Sequence, residues 1–351
     1  MIRYRLAAAL ALLATSAAAD TTPARLFRNG VALSNSQNGY IEDSSRFVAP
    51  YIVDGGIRSL RVPLKSKYLV VNGAVADTIQ LNGYPTKEKA ALKAVIDLAL
   101  SHNVTVYLDD HEYRWYSDKE VGDFWLPVGK WLMATYGYNA NIVLELQNES
   151  GGSEWDPNYA RSVKDLVTKL RATGITYKLA IGWADWNNVG SATRAFTDLD
   201  AIGGPQSIDS LNRVIWTGHF YQTTTGNDQA KAGRKAPQIQ GSTVSSSFAT
   251  FFDACKIRHL ACAVTEIGMG GGAHGWLANG SGKPAFDGKA WLAAYSALTD
   301  KYKGTLVGTI AWGGGAAWND AYPFKVEYAK DAWRKTRETE FWAAMKRFWA
   351  K

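Results

Sequence analysis

The chain has 351 residues, longer than a usual single domain, with 39 Lys and Arg against 32 Asp and Glu and a formal charge of +7. The basic residues are scattered without a dense block, which argues against a nucleic-acid surface and for a solvated, mildly basic one. Beyond the first residues no stretch is long and apolar enough to cross a membrane. The two cysteines, Cys255 and Cys262, have no nearby His cluster, which argues against structural zinc.

Arg3 and Arg5 precede an apolar run from Leu6 to Leu13, and Ala17-Ala18-Ala19 stands before Asp20. A basic start, a short apolar run and a small-residue cleavage site form the pattern of an export signal. Residues 1–19 are therefore expected to be a secretion signal and 20–351 one mature domain. The mature protein would be secreted or periplasmic, without membrane attachment once the signal is removed. In an oxidising compartment Cys255 and Cys262 can bridge, and two free buried thiols are the equal alternative.

Strand-like and helix-like runs then alternate. Gly30–Leu33 and Ile57–Pro63 read as strands, and Thr86–His102 as a helix with Leu92, Val95, Ile96 and Leu100 at helical spacing and Thr86 as its cap. Val104–Leu108 is a strand, Gly122–Tyr136 a helix, and Ile142, Val143, Leu144 and Leu146 the body of a fourth strand. A helix at 158–173 and a strand at Lys178–Ile181 follow, then a strand at Arg213–Thr217 and a helix at Ser245–His259. A strand running to Glu266, a helix at 288–300 and a strand at Thr305–Ala311 come next, with a closing helix at Arg337–Trp349. Eight strands alternating with helices, with no linker, repeat or low-complexity tract, predict a single α/β domain of the (β/α)8 (TIM) barrel class. Gly268–Gly272 lacks the Lys and following helix of a phosphate loop and reads as a flexible loop beside Glu266.

Polar and aromatic residues gather where these strands end, and in such barrels the strand ends carry the chemistry. They are Arg61, His111, Asn148 with Glu149, His219 with Tyr221, Glu266 and Trp312. Two carboxylates on two strand ends, Glu149 and Glu266, supply the basic apparatus of glycoside hydrolysis, which needs one protonated and one ionised carboxyl. Glu145, on an otherwise apolar strand, is placed to pair with Arg58 or Arg61. Asp110 and Glu112 flank His111 as supports. Asn148-Glu149-Ser150 matches a glycosylation sequon, but a glycan there would block the pocket. Of the aromatic residues in the loops, Trp183 and Trp186 are the preferred sugar-stacking candidates, with core packing as the competing role.

The stretches Ile57-Arg58-Ser59-Leu60-Arg61-Val62-Pro63, Asp110-His111, Leu146-Gln147-Asn148-Glu149, His219-Phe220-Tyr221, Thr265-Glu266-Ile267-Gly268 and Ile310-Ala311-Trp312 resemble glycoside hydrolase family 5, the cellulase family of the retaining (β/α)8 glycosidases. Eight recurring positions fall in the right order from about Gly30 to Trp312. One departure is Ser150, where many members have Pro. The resemblance implies Glu149 as acid/base and Glu266 as nucleophile, about 5–5.5 Å apart. It implies Arg61 and Tyr221 as donors to Glu266, and Asn148 and His111 as contacts to sugar hydroxyls. His219 would tune Glu149, and Trp312 would present its face to the sugar from a cis peptide to Gly313. The expected activity is a secreted retaining endo-β-glycosidase, acting as a monomer without cofactor or metal on a polysaccharide or oligosaccharide. A β-1,4-glucan leads, and a mannan or bacterial exopolysaccharide follows. Transglycosylation and a catalytically silent glycan-binding barrel are the other readings, the latter disfavoured by the intact carboxylate pair.

Overall fold

The computed structural model describes residues 27–33, 48–81, 84–222, 241–269, 288–314, 328–329 and 337–338. Eight parallel strands close a barrel in chain order: β1 (Phe27–Leu33), β2 (Ser59–Leu64), β3 (Thr105–Asp110), β4 (Ile142–Glu145), β5 (Lys178–Ile181), β6 (Val214–Gln222), β7 (Ala261–Met269) and β8 (Leu306–Gly314), which pairs back onto β1. From β2 to β7 each strand leads to a helix: α1 (Glu88–Ser101), α2 (Glu120–Tyr136), α3 (Tyr159–Ala172), α4 (Ala192–Asp200), α5 (Gly241–Ile257) and α6 (Gly288–Lys301). The (β/α)8 barrel expected from the alternation is the fold.

Side chains alternate along each strand between two buried layers. Val106, Leu108, Ile142, Leu144, Leu179 and Ile181 pack outward in the large core beneath the helices, where Val163, Leu166, Val167 and Leu170 of α3 meet them. Tyr107, Val143, Ala180, Ile215, Ala263 and Val307 form a second apolar cluster inside the barrel. Both faces are dry, so the strands read as continuous apolar runs. Two residues further along, the inward positions turn polar: Tyr107 gives way to Asp109, Val143 to Glu145, and Ala263 to Thr265, all buried. An apolar plug thus supports a charged layer at the C-terminal ends of the strands, the end at which barrels of this class place their sites.

Several boundaries differ from the sequence reading. β6 runs on to Gln222 and β8 to Gly314, so His219, Tyr221 and Trp312 lie within strands rather than after them. A reading that ends a strand at its first polar residue stops short wherever polar residues face a pocket. α1 begins at Glu88 after Lys87, and Thr86 is not its cap. Thr86 instead closes a short antiparallel pair, Ile79–Leu81 with Tyr84–Thr86, and its hydroxyl donates to Ile79 O at 3.2 Å. Arg337 and Glu338, the expected start of the closing helix, pair in antiparallel fashion with Ala329 and Tyr328, and residues 339–349 lie outside the described residues. The export segment and residues 270–272 of the Gly cluster lie outside them too. Cys255 and Cys262 are buried free thiols rather than a bridge, and burial together with the Cys262 partner pushes the Cys255 thiol well up.

Candidate active site

Arg61 anchors the charged layer. It is fully buried on β2, and its guanidinium reaches four residues at the ends of three other strands, β3, β4 and β7. Nε donates to Glu145 Oε2 at 2.6 Å and Nη1 to Glu266 Oε1 at 2.5 Å. Nη2 donates to Asn148 Oδ1 at 2.8 Å and lies 3.0 Å from Asp109 Oδ2. Glu145, placed by sequence opposite Arg58 or Arg61, is thus paired with Arg61. Burial opposes the charge on Glu145, but Arg61 and His219 outweigh it and hold the carboxyl at about 2. Burial pushes Asp109 well up, and the charges of Glu145 and Glu266 add to this. One buried cation among three carboxylates stays stable only while its partners remain, because an unpaired buried charge costs about 3–5 kcal/mol.

Glu266 and Glu149 sit in contrasting surroundings. Glu266 receives Arg61 on one oxygen and the Tyr221 hydroxyl on the other. Burial opposes its ionisation, but His219, Arg61 and the Tyr221 hydrogen bond overcome this and keep it below the usual carboxylate range. Glu149 is also buried, and among the described residues its carboxyl has no Arg partner and meets His219 Nδ1 at 3.1 Å. Burial, reinforced by the Glu266 charge, pushes it up to about 7. One oxygen of each carboxylate and a ring nitrogen of His219 all lie within 4.8 Å of one another. Such a donor set could hold a metal ion, but the Glu266 oxygens already accept from Arg61 and Tyr221.

A hydrogen-bond relay orients His219. Thr265 Oγ1 donates to Glu145 Oε1 at 2.7 Å, so it accepts from His219 Nε2 at 3.2 Å. That contact places a proton on Nε2 and turns Nδ1 toward Glu149. Burial disfavours the charged ring, but Glu266, Glu145 and Glu149 outweigh it and raise His219 to about 9.

Irregular backbone makes this convergence possible. Adjacent residues of a regular strand point to opposite faces, yet Thr265 and Glu266 both join the charged layer. The β7–β8 pairing shifts register between Val264 and Ile267, as a bulge would, and re-aims the side chains. Glu149 follows β4 with φ of 44°, in the left-handed region that non-glycine residues seldom adopt. Gly151 continues the turn at φ +63°, with the Trp115 ring packed so closely that a Cβ would lie 2.2 Å from its Cζ3. Ser150, standing where Pro is frequent in the family it resembles, donates its hydroxyl to Arg114 O at 3.0 Å.

Eight sequence-predicted residues therefore meet at one end of the barrel: Arg61, His111, Asn148, Glu149, His219, Tyr221, Glu266 and Trp312. Asn148 is fully buried, which removes its sequon from any glycan, and among the described residues its Nδ2 has no hydrogen-bond partner. Trp312 stacks on His111 at 5.5 Å with rings 3° from parallel, and Arg61 stands 6.0 Å from its ring. The expected cis bond to Gly313 is absent, for no described peptide is cis. Trp312 lies inside β8, and Gly313, at φ 103°, supplies the local freedom instead.

Trp183 does not belong to the site. It is 0 % exposed, packs against Phe196 and Phe251, and spends its indole N–H on Asn188 O at 3.0 Å. Trp186, three residues on, is 43 % exposed at the mouth beside Tyr113. Three consecutive positive φ values, at Asp185, Trp186 and Asn187, swing the chain outward between the two indoles. Trp183→Ala is expected to lower stability by about 3–5 kcal/mol. Trp186→Ala should leave the melting curve near wild type while raising KM on a polymeric glycan. Thermal melts alongside kinetics check both, and a cold-stable Trp183→Ala with raised KM alone would reverse the assignment.

Residues with no obvious sequence signal complete the layer. Thr265 is visible only through its contacts. Asn187, fully buried, accepts Trp183 N–H on Oδ1 and His219 N–H on its carbonyl at 2.6 Å. Tyr113 is another, brought back onto His111 by a bend after β3 and its own left-handed φ of 59°. Trp276 and Trp318, two further loop aromatics that the sequence offers as sugar contacts, lie outside the described residues.

The sequence pattern of cellulases of glycosyl hydrolase family 5 matches residues 26–303. The chain belongs to glycosyl hydrolase family 5. It is accordingly a glycoside hydrolase. Solved structures share the fold of this family 5 enzyme at low identity. An endo-β-1,4-glucanase from Xanthomonas axonopodis pv. citri has 17 % identity and a TM-score of 0.64, covering 91 % of this chain and 97 % of that one. Cel5A from Hypocrea jecorina has 15 % identity and a TM-score of 0.65, covering 91 % and 98 %. Endoglucanase Cel5A of Pseudomonas stutzeri, solved with cellobiose, has 16 % identity and a TM-score of 0.65, covering 91 % of each chain. Comparison with curated protein sequences gives no match.

Proposed function

We propose that this family 5 enzyme is a secreted retaining endo-β-glycosidase that cleaves a β-1,4-glucan by double displacement. The observation that carries the reading is the opposed state of two neighbouring carboxyls. Glu266 is held ionised by His219, Arg61 and Tyr221, and Glu149 is held protonated near neutrality by burial. Donor atoms within 4.8 Å match the close spacing of a retaining pair, which leaves no room for a water between them.

In this reading Glu266 attacks the anomeric carbon and forms a glycosyl ester, while Glu149 delivers its proton to the departing oxygen. Glu149 then takes a proton from water, and the ester is released with the original anomeric configuration. The Nδ1–H of the charged His219 ring donates to Glu149 and supports the carboxylate that forms when its proton is given up. The Nδ2 of Asn148, without a partner among the described residues, donates to the sugar 2-hydroxyl in this reading. Trp312, His111 and Trp186 supply the sugar contacts, and no cofactor is required. The glucan assignment draws on fold relatives whose structures hold cellopentaose and cellobiose. Export rests on the N-terminal pattern, and among the described residues no helix is long and apolar enough to cross a membrane. A monomer completes the reading.

Reducing-end release should be measured over a panel with soluble cellulose, mannan and bacterial exopolysaccharides, with viscosity and product anomers followed. Rapid loss of cellulose viscosity and β-configured first products are expected. Cleavage confined to another glycan would overturn the substrate, and α-configured products would overturn double displacement.

The pH profile follows from the same pair. Activity needs Glu266 ionised and Glu149 protonated. kcat/KM is therefore expected to fall as pH rises through about 7, where Glu149 loses its proton. On the acid side it should persist to below the usual carboxylate range, because Glu266 is depressed. In Glu149→Gln, assayed on an activated aryl glycoside, the alkaline limb should vanish. A limb near 7 that survives this change would belong to another group.

A further inference from the structure

Both ring nitrogens of His111 are occupied in the cleft. Nδ1 lies 2.6 Å from Asp109 Oδ2, and Nε2 lies 2.9 Å from the Tyr113 hydroxyl. A sugar hydroxyl can therefore reach His111 only by replacing one of them. Asp109 is fully buried and also tied to Arg61, so it is fixed. Tyr113 is the movable partner, 40 % exposed at the mouth of the site.

Three further features single out Tyr113. Its φ of 59° lies in the left-handed region, where an aromatic residue is uncommon and held at a cost by its surroundings. Its ring is held edge-on to Trp186 at 6.2 Å, with the Lys65 ammonium 5.9 Å away. Burial of its hydroxyl end pushes the phenol up, and the charges of Glu149 and Glu266 add to this, so the hydroxyl stays protonated within reach of both fields.

We propose that Tyr113 is a displaceable cap on His111, its hydroxyl holding the buried Nε2 until a sugar hydroxyl takes that place. This rests on the reading of His111 as a sugar contact. The exchange replaces one hydrogen bond by another and is nearly balanced in itself. A water would leave freely, but a tethered hydroxyl must also draw its ring away from Trp186 and Lys65. The cap therefore weakens sugar binding and sharpens selection. A sugar with the matching hydroxyl restores the bond to Nε2, whereas one lacking it, or carrying a substituent there, leaves Nε2 unbonded. Tyr113 would thus set specificity without touching the bond that breaks.

The test is Tyr113→Phe, measured for KM and kcat on whichever glycan the wild-type enzyme hydrolyses fastest, alone and in His111→Ala and His111→Gln backgrounds. Tyr113→Phe should lower KM by roughly three- to tenfold, the worth of about one hydrogen bond, with a larger change in KM than in kcat. In either His111 background the same change should move KM by less than about twofold, since there is nothing left to uncap. A KM that is unchanged or raised in Tyr113→Phe overturns the cap. So does a fall that persists without His111. If His111→Ala and His111→Gln alone leave KM unchanged, the reading of His111 as a sugar contact fails and the cap with it. If they raise KM while Tyr113→Phe does not lower it, the cap alone fails.

Discussion

Glu266→Ala is expected to reduce turnover by roughly 10⁴- to 10⁶-fold, the scale seen when a catalytic nucleophile is removed. The covalent ester cannot form, and Glu149 has nothing to work with. The structure adds a second consequence. Removing this carboxylate leaves Arg61 and Tyr221 facing an empty space in a buried site, with Arg61 still paired to Glu145. Azide is a small anion that can enter such a space and attack from the same side. It should partly restore activity on an activated aryl β-glycoside and yield the α-glycosyl azide. Calorimetry should accompany the assay, because losing one partner of a buried cation costs about 3–5 kcal/mol in unfavourable cases. Glu266→Gln keeps an acceptor for Arg61 and separates lost chemistry from lost stability. Near-wild-type hydrolysis in either variant would remove Glu266 from the mechanism.

Glu149→Gln should act through the leaving group. On natural glycosides, whose departing oxygen needs a proton, the loss should be about 10²–10⁴-fold. On aryl glycosides with good leaving groups the first step should stay fast and the second slow, so the glycosyl-enzyme accumulates and a burst of phenol precedes a slow steady state. The substitution is mild structurally, since the amide can still meet His219. Mass spectrometry of the trapped intermediate checks the prediction. Equal losses on both substrate classes would assign the proton to another acid, and Glu154, exposed on the same loop, is the first to replace.

These two carboxylates were legible in the chain because each ends an apolar run, and a carboxylate at the end of a strand buried on both faces has few structural uses. The barrel was legible for a related reason. Strands such as Ile142–Glu145 and Val104–Leu108 are too apolar and too short for anything but a buried sheet, and helices such as α3 repeat their apolar residues at close to 3.6. That Glu145 needs a basic partner also followed from local logic, since a charge inside a barrel requires one, but the choice of Arg61 over Arg58 came with the closed barrel.

Other features needed the closed barrel. Trp183 and Trp186 are chemically alike and three residues apart, yet one is core and the other faces the mouth. Three left-handed residues at Asp185–Asn187 separate them, a backbone path that side-chain type does not announce. Thr86 has the chemistry of a helix cap, but a tertiary partner, Ile79 O, took its hydroxyl instead. The trans bond after Trp312 is likewise set by continuation of β8 through Gly314.

What the sequence by itself determined is therefore the alternating two-layer barrel and the residue types at its strand ends, because both follow from periodic burial along the chain. What only the tertiary structure decided is which of two like residues turns inward and what state each holds. Glu149 and Glu266 are the same amino acid at equivalent strand ends. They differ because Arg61 and Tyr221, distant in the chain, both hydrogen-bond to Glu266, whereas among the described residues the Glu149 carboxyl meets His219 without an Arg or Tyr donor. A proton's place depends on the field at a point in space, and that field comes from groups whose proximity exists only once the barrel has closed.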